Sequence, residues 1–215
     1  MLVGILVAVF TSLANIVLGF ITFAKNPKSA TNRLLAFLAL QIAIWAIINY
    51  FSLHQQTEVA TLFWIRLDML PGALMGPSIY LLVKSFPGGK LGVSKLTLLG
   101  ISLLVGLTII LALSPYMFTS AIFEGGNIKA VPGPAIVIFA INFLGFLSLA
   151  FVSALRKYSK AMGLEKLQLK YLLSGLIITF SLIATTQFFA VILFKTSFFI
   201  PFGPLYTLIL VGSIS

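Results

Sequence analysis

Residues 1–33 read MLVGILVAVFTSLANIVLGFITFAKNPKSATNR. No charged side chain occurs before Lys25, and then Lys25, Lys28 and Arg33 follow in quick succession. A helix rises about 1.5 Å per residue, so about 20 apolar residues cross the roughly 30 Å of bilayer hydrocarbon. The first part of the stretch is long enough to span, and the basic part marks where the chain leaves the membrane. No basic residue precedes the apolar run and no small-residue cleavage pattern follows it, so it reads as a first membrane helix and not as a removable signal peptide.

Working outward, the same pattern recurs along the whole chain. Apolar segments occupy about 1–24, 34–53, 61–85, 96–114, 134–155, 171–194 and 198–215, which fills the 215 residues with seven spans and short loops. Hydrophobic residues make up 60% of the sequence and charged residues 8%, with a mean hydropathy of +1.15. A soluble domain carries about 25% charged residues, so water is not the solvent for most of this surface. The segments lack the alternation of barrel strands, and backbone groups in lipid must be paired internally. The expected fold is therefore an all-α, polytopic seven-transmembrane helix bundle forming one domain over 1–215.

The basic residues set the expected orientation. With the N-terminus outside and the C-terminus cytoplasmic, the inner loops and helix ends hold Lys25, Lys28, Arg33, Lys84, Lys90, Lys95, Arg156, Lys157, Lys160, Lys166 and Lys170. Only Lys129 and Lys195 fall outside, and Arg66 lies within a helix. This positive-inside bias points to a multi-pass protein of the cell inner (cytoplasmic) membrane. It also accounts for the formal charge of +10, because outer charges cancel and Arg66 balances Asp68. The excess suits anionic lipid headgroups and not nucleic acid, which would want basic residues interleaved with stacking aromatics. In the longest loop, Ala121-Ile-Phe-Glu and Ile128-Lys-Ala-Val flank Gly125-Gly-Asn, a pattern that predicts a small β-hairpin over the outer mouth. No internal repeat supports an inverted-repeat transporter.

A charge within a spanning helix costs about 2.5 to 3.5 kcal/mol on insertion scales, so each one demands a partner. Arg66 and Asp68 are the two such residues. Two positions apart, they point about 200° away from each other and cannot share one face. Counting from segment centres places both roughly 7 to 11 Å above the midplane, with Asn49, Asn142 and Gln187 roughly 4 to 9 Å above it. Phe37, Gln41, Trp45 and Asn49 form a stripe at intervals of four, as do Trp64, Asp68, Gly72, Gly76 and Tyr80. If those stripes face the bundle axis, Trp45, Asn49, Trp64, Arg66, Asp68, Asn142 and Gln187 bound an outward-opening ligand cavity. The competing reading is that the polar groups only bond to neighbouring helices and Arg66 snorkels to the headgroups. Pro71 and Pro77 predict a kink in the third helix, static or hinge-like.

The chemistry is otherwise spare. Hydrolase, metalloprotease and phosphate-loop motifs are missing, as are paired carboxylates for acid/base work, so no enzyme activity is expected. Cysteine is absent and His54 stands alone, so no metal or other cofactor is expected. No helix lysine is placed for a retinal Schiff base, and the inner half of the bundle lacks the chain of ionisable groups a pump needs.

Lys25-Asn-Pro-Lys-Ser-Ala-Thr-Asn-Arg-Leu-Leu-Ala-Phe, then Trp45, Phe63-Trp-Ile-Arg-Leu67, the double-proline third helix and Phe86-Pro87 carry a family resemblance. So do Gln168 ahead of the sixth helix and Gly203-Pro-Leu-Tyr206. Together they resemble the seven-transmembrane N-terminal sensor region of bacterial histidine kinases. The resemblance implies a receptor module of a two-component system, joined after its seventh helix to cytoplasmic signalling domains and acting as a homodimer. No phosphoacceptor-histidine region or ATP-binding domain occurs in these 215 residues, so the chain reads as an excised sensor domain or as a short version that signals through a partner. The expected function is detection of an extracellular or membrane-dissolved small molecule, with signalling to a cytoplasmic kinase or other effector. The alternatives are a small-solute transporter or channel, and a scaffold with a sealed interior.

Overall fold

A computed structural model describes residues 2–124, 127–189 and 199–214, with backbone alone for 124, 127–129 and 187–189. Among the described residues, six helices are long and apolar enough to cross a membrane. They are α1 (Leu2–Lys25), α2 (Ala30–Ser52), α3 (Glu58–Ser85), α4 (Lys95–Ala112), α5 (Ile136–Lys160) and α6 (Gly163–Ile183). The last continues as a π-helical segment, Ala184–Phe189, and a 3-10 turn at Ile200–Phe202 leads into a shorter apolar helix, α7 (Gly203–Ile214). The predicted end of the sixth segment and the Lys195–Ser197 link lie outside the described residues.

The helices project beyond the apolar segments because caps, not hydropathy, decide where they begin. Ser29, Thr57 and Ser94 each precede a helix and accept a backbone N–H from its first turn, donated by Asn32, Ala60 and Thr97 respectively. So α2 starts at Ala30 and carries Arg33 within its first turn, where the apolar segment alone suggested 34. Helix α6 also starts early, at Gly163 and not at 171, but without a side-chain cap; Gly163 is a left-handed residue with φ of 54°. Its first two turns are the polar Glu165–Lys170 stretch.

The predicted hairpin is present. Strand β1 (Phe118–Glu124) pairs antiparallel with β2 (Asn127–Pro132), Ala121 opposite Ala130 and Glu124 opposite Asn127, with an irregularity between Phe118 and Ser120. Short connections make successive helices alternate in direction, so the bundle has a hairpin end and an opposite end. The helix termini and loops at that opposite end hold Lys25, Lys28, Arg33, Lys84, Lys90, Lys95, Arg156, Lys157, Lys160, Lys166 and Lys170.

Packing is tightest where side chains are small. In the seam of α1 and α2, Ser12 donates to the Ala43 carbonyl at 2.8 Å, and Gly19 lies so close that a β-carbon there would sit 3.0 Å from that of Ala39. Between α3 and α5, a β-carbon on Gly76 would meet the Phe143 backbone oxygen at 3.0 Å. Close backbone approach of this kind substitutes for the hydrophobic driving force that lipid removes. Helix α4 packs at the edge, against α3 and α5. Outward faces carry Phe10, Phe20, Leu103, Ile110, Ile141 and Ile177, all exposed, as lipid contact requires.

The main core lies toward the basic end, where Leu35, Leu38, Ile79, Leu82, Leu169, Leu172, Leu176 and Val211 are buried together. A smaller apolar cluster sits under the hairpin, formed by Ala112, Met117, Phe118 and Ala135 against Leu62, Ile65, Met69 and Phe139.

Candidate functional site

Between those two clusters the helices leave a cavity of about 360 Å3, within the size range of small-ligand sites. Helix α2 contributes Leu38, Ile42, Trp45 and Asn49; α3 contributes Asp68, Met69, Gly72, Met75 and Ile79. Phe139 and Phe143 come from α5, Phe180 and Ile183 from α6, and Ile200, Thr207 and Leu210 from the seventh-helix region. The lining runs along α2 from Leu38 to Asn49, a rise of about 16 Å. Its polar groups gather at the hairpin-side end, around Asn49 and Asp68, and the rest is apolar.

Asp68 organises that end. Trp45 and Asn49 stand beside it on the cavity wall, and its Oδ1 is buried with no hydrogen-bond partner among the described residues. The residue as a whole is only half-buried because part of its surface faces the cavity. Thr207 is committed elsewhere, its hydroxyl donating to the Pro204 carbonyl one turn back.

Three of the seven residues expected at a ligand site, Trp45, Asn49 and Asp68, are thus brought together on the cavity wall. Arg66 is not among them. Its Nη2 donates to the Phe118 carbonyl at 2.7 Å, and the Ala121 N–H donates to Glu58 Oε1 at 3.1 Å. The guanidinium and the Glu58 carboxylate therefore fasten strand β1 to α3. The predicted divergence of Arg66 and Asp68 holds, one reaching the hairpin and the other the cavity. Asn142 is fully buried in the α3–α5 seam, where its Nδ2 donates to the Ala73 carbonyl at 2.8 Å. Trp64 stacks on Phe51 with ring centroids 4.8 Å apart and lies off the cavity. The side chain of Gln187 lies outside the described residues.

Helical drift explains the departures. Residues four apart advance about 40° around the axis, so a stripe of three or four such steps turns through a third of the circle or more. Phe37, at the far end of the α2 stripe, is 46% exposed. In α3 the middle of the stripe, Asp68 and Gly72, lines the cavity, while Tyr80 meets Phe146 at 5.7 Å. The apolar walls, from Met69 to Phe180, had no signal in the sequence that would separate them from lipid-facing neighbours.

One further polar cluster, at the basic end, escaped the sequence reading. Lys157 Nζ donates to the carbonyls of Val83, Lys84 and Phe86 at 2.8, 2.9 and 2.6 Å, binding the last turn of α3 to α5. Thr31 donates to the Ser85 carbonyl at 3.0 Å, and Asn32 Nδ2 donates to the Thr22 carbonyl at 2.8 Å. The Ala30 N–H donates to the Gly89 carbonyl at 2.8 Å. The motif Lys25–Arg33 therefore ties the ends of α1, α2 and α3 into one junction.

A multi-pass helical membrane protein with an internal, polar-ended cavity defines the class. Residues 7–213 match the N-terminal 7TM region of histidine kinase, and the chain belongs to that family. It is thus a membrane sensor module of the histidine-kinase type, whose matched family implies a cytoplasmic signalling partner. No curated protein and no solved structure matched the chain.

Proposed function

We propose that this sensor module detects a small molecule bound in the cavity beside Asp68, and that its basic end faces the cytoplasm of the cell whose inner membrane it spans. The observation that carries the reading is the Asp68 carboxyl on the cavity wall, with one oxygen that has no hydrogen bond among the described residues. An unpaired buried polar oxygen costs about 1 to 3 kcal/mol, and a ligand that supplies the missing donor recovers it. The carboxyl also has a broad, roughly two-fold rotation about χ2, so either oxygen can be turned to the ligand.

Signal passes through the elements that share the cavity. Thr207 and Leu210 line it from α7, while Val211 and Ile214 of the same helix join the core at the basic end. A ligand that binds one arrangement of α7 more tightly than another shifts the population between them. The effector is a cytoplasmic kinase or another signalling partner, and a homodimer supplies the geometry by which kinase sensors of this kind act. The continuous core from Leu35 to Val83 favours sensing over a solute path, because the described residues leave the cavity no continuation toward the basic end.

Thermal unfolding in lipid nanodiscs tests the assignment. A ligand at about 100 times its Kd stabilises the folded state by about 2.7 kcal/mol. The expected result is a compound that raises Tm for the wild type and not for Asp68→Asn, a change that keeps the shape of the side chain. A compound that stabilises both equally places the binding site elsewhere.

A further inference from the structure

Among the described residues, the hairpin end of the cavity is covered. Met69 and Phe139 line it and also belong to the apolar cluster beneath the hairpin, and Arg66 and Glu58 hold that hairpin down. At the basic end the main core closes it. A lateral side remains. Helices α5 and α6 touch far less than α1 and α2 or α6 and α7 do, and between them runs a second depression of about 500 Å3, floored by Leu147, Phe151, Leu176 and Phe180. Its rim residues Ser148, Val152 and Ile177 are exposed on the lipid-facing surface.

Phe180 belongs to both spaces. On one side it walls the interior cavity, edge-on to Phe143 with centroids 6.4 Å apart; on the other it floors the lipid-facing groove. One half-buried ring is therefore the lining residue that the two spaces have in common, and a ring at such a boundary changes rotamer without breaking a hydrogen bond.

Resting on the reading of the cavity as the ligand site, we propose that the ligand is an amphiphile that comes from the bilayer, through the α5–α6 groove and past Phe180. Its single hydrogen-bond-donating head goes to Asp68 and its alkyl tail lies along Ile42, Met75 and Leu210. Polarity decides the class. The cavity is apolar over most of its length and polar at one end, which an alkyl chain with one small head matches and a uniformly polar solute does not. A hydroxyl or amide head dissolved in hydrocarbon and Asp68 Oδ1 each lack a partner among the described residues, so one bond between them removes two penalties.

The test uses the full chain in nanodiscs and a dodecanol carrying a diazirine on its tail, with photolabelled residues located by mass spectrometry. Labels are expected in the groove and in the cavity. Ser148→Trp, on an exposed position that does not challenge folding, should slow cavity labelling about tenfold, equal to about 1.4 kcal/mol on the barrier; Phe180→Ala should speed it. Cavity labelling that is indifferent to both variants yet lost in Asp68→Asn overturns the lateral route while leaving the ligand site standing. Groove labelling with no cavity labelling in the wild type overturns the amphiphile assignment.

Discussion

The Asn142 carboxamide donates to the Ala73 carbonyl at 2.8 Å, and Ala73 is the residue whose carbonyl Pro77 leaves unpaired. Proline has no N–H, so the carbonyl four residues before it loses its helical partner. A side chain from α5 supplies that bond and holds the α3 kink in one geometry.

Replacing Asn142 by Leu should therefore cost about 1 to 3 kcal/mol, the penalty for an orphaned buried carbonyl. Pro77→Ala restores the helical donor and should recover part of the loss. A double-mutant cycle followed by thermal unfolding checks this: coupling of the two changes is expected, and additive losses would show that Asn142 and Pro77 act independently.

Gly72 and Gly76 both face α5, but with different tolerance. A β-carbon at Gly76 meets backbone atoms of Phe143, at 3.0 and 3.2 Å, while one at Gly72 meets the ring end of Phe139 at 2.8 Å. A ring can swing aside and a helix backbone cannot. Gly76→Ala is expected to lower stability by about 1 to 3 kcal/mol and Gly72→Ala by less, as measured by Tm in nanodiscs.

Lys157 places its ammonium against three carbonyls at the end of α3, where a cation also meets the negative end of the helix. Lys157→Met keeps the aliphatic stem and removes the donors, so a loss of about 1.5 to 3 kcal/mol is expected. Hydrogen exchange should rise at the Phe86 and Gly89 amides, which close the last turn on the Leu82 and Ser85 carbonyls. Unchanged exchange there would remove Lys157 from the junction.

The hairpin is fastened by Glu58 and Arg66. Glu58→Ala should raise hydrogen exchange at the Ala121 amide, whose bond goes to Glu58 Oε1, and Arg66→Gln should loosen β1 around Phe118. Neither change touches the cavity wall, so ligand-induced stabilisation should survive both. Loss of ligand response in Arg66→Gln would return Arg66 to the site.

Hydropathy made the seven segments legible because every spanning helix must be apolar over about 20 residues, whatever its neighbours. Helix ends were less so: Ser29 and Thr57 are ordinary polar residues until a cap bond defines them. The hairpin could be read from two short strand-like runs, Ala121–Glu124 and Ile128–Val131, around Gly125-Gly-Asn. At the site, Asp68 stood out because a carboxylate inside a span is rare, and Trp45 and Asn49 followed from helical spacing. Arg66 lies off the cavity because a long side chain can reach a backbone carbonyl in a distant loop, which leaves no trace in spacing. Asn142 did have a signal, since an interior proline implies an orphaned carbonyl in need of a donor. Which of many Phe and Ile residues would wall the cavity depended on tertiary packing alone.

The most direct measurement uses the two tryptophans. Trp45 lines the cavity and Trp64 lies off it, so Trp64→Phe leaves one indole as a reporter at the proposed site. Titrating that variant in nanodiscs with dodecanol should change Trp45 emission saturably, and Asp68→Asn should abolish the saturable part. Emission that stays constant while the same compound raises Tm would contradict a ligand site beside Asp68.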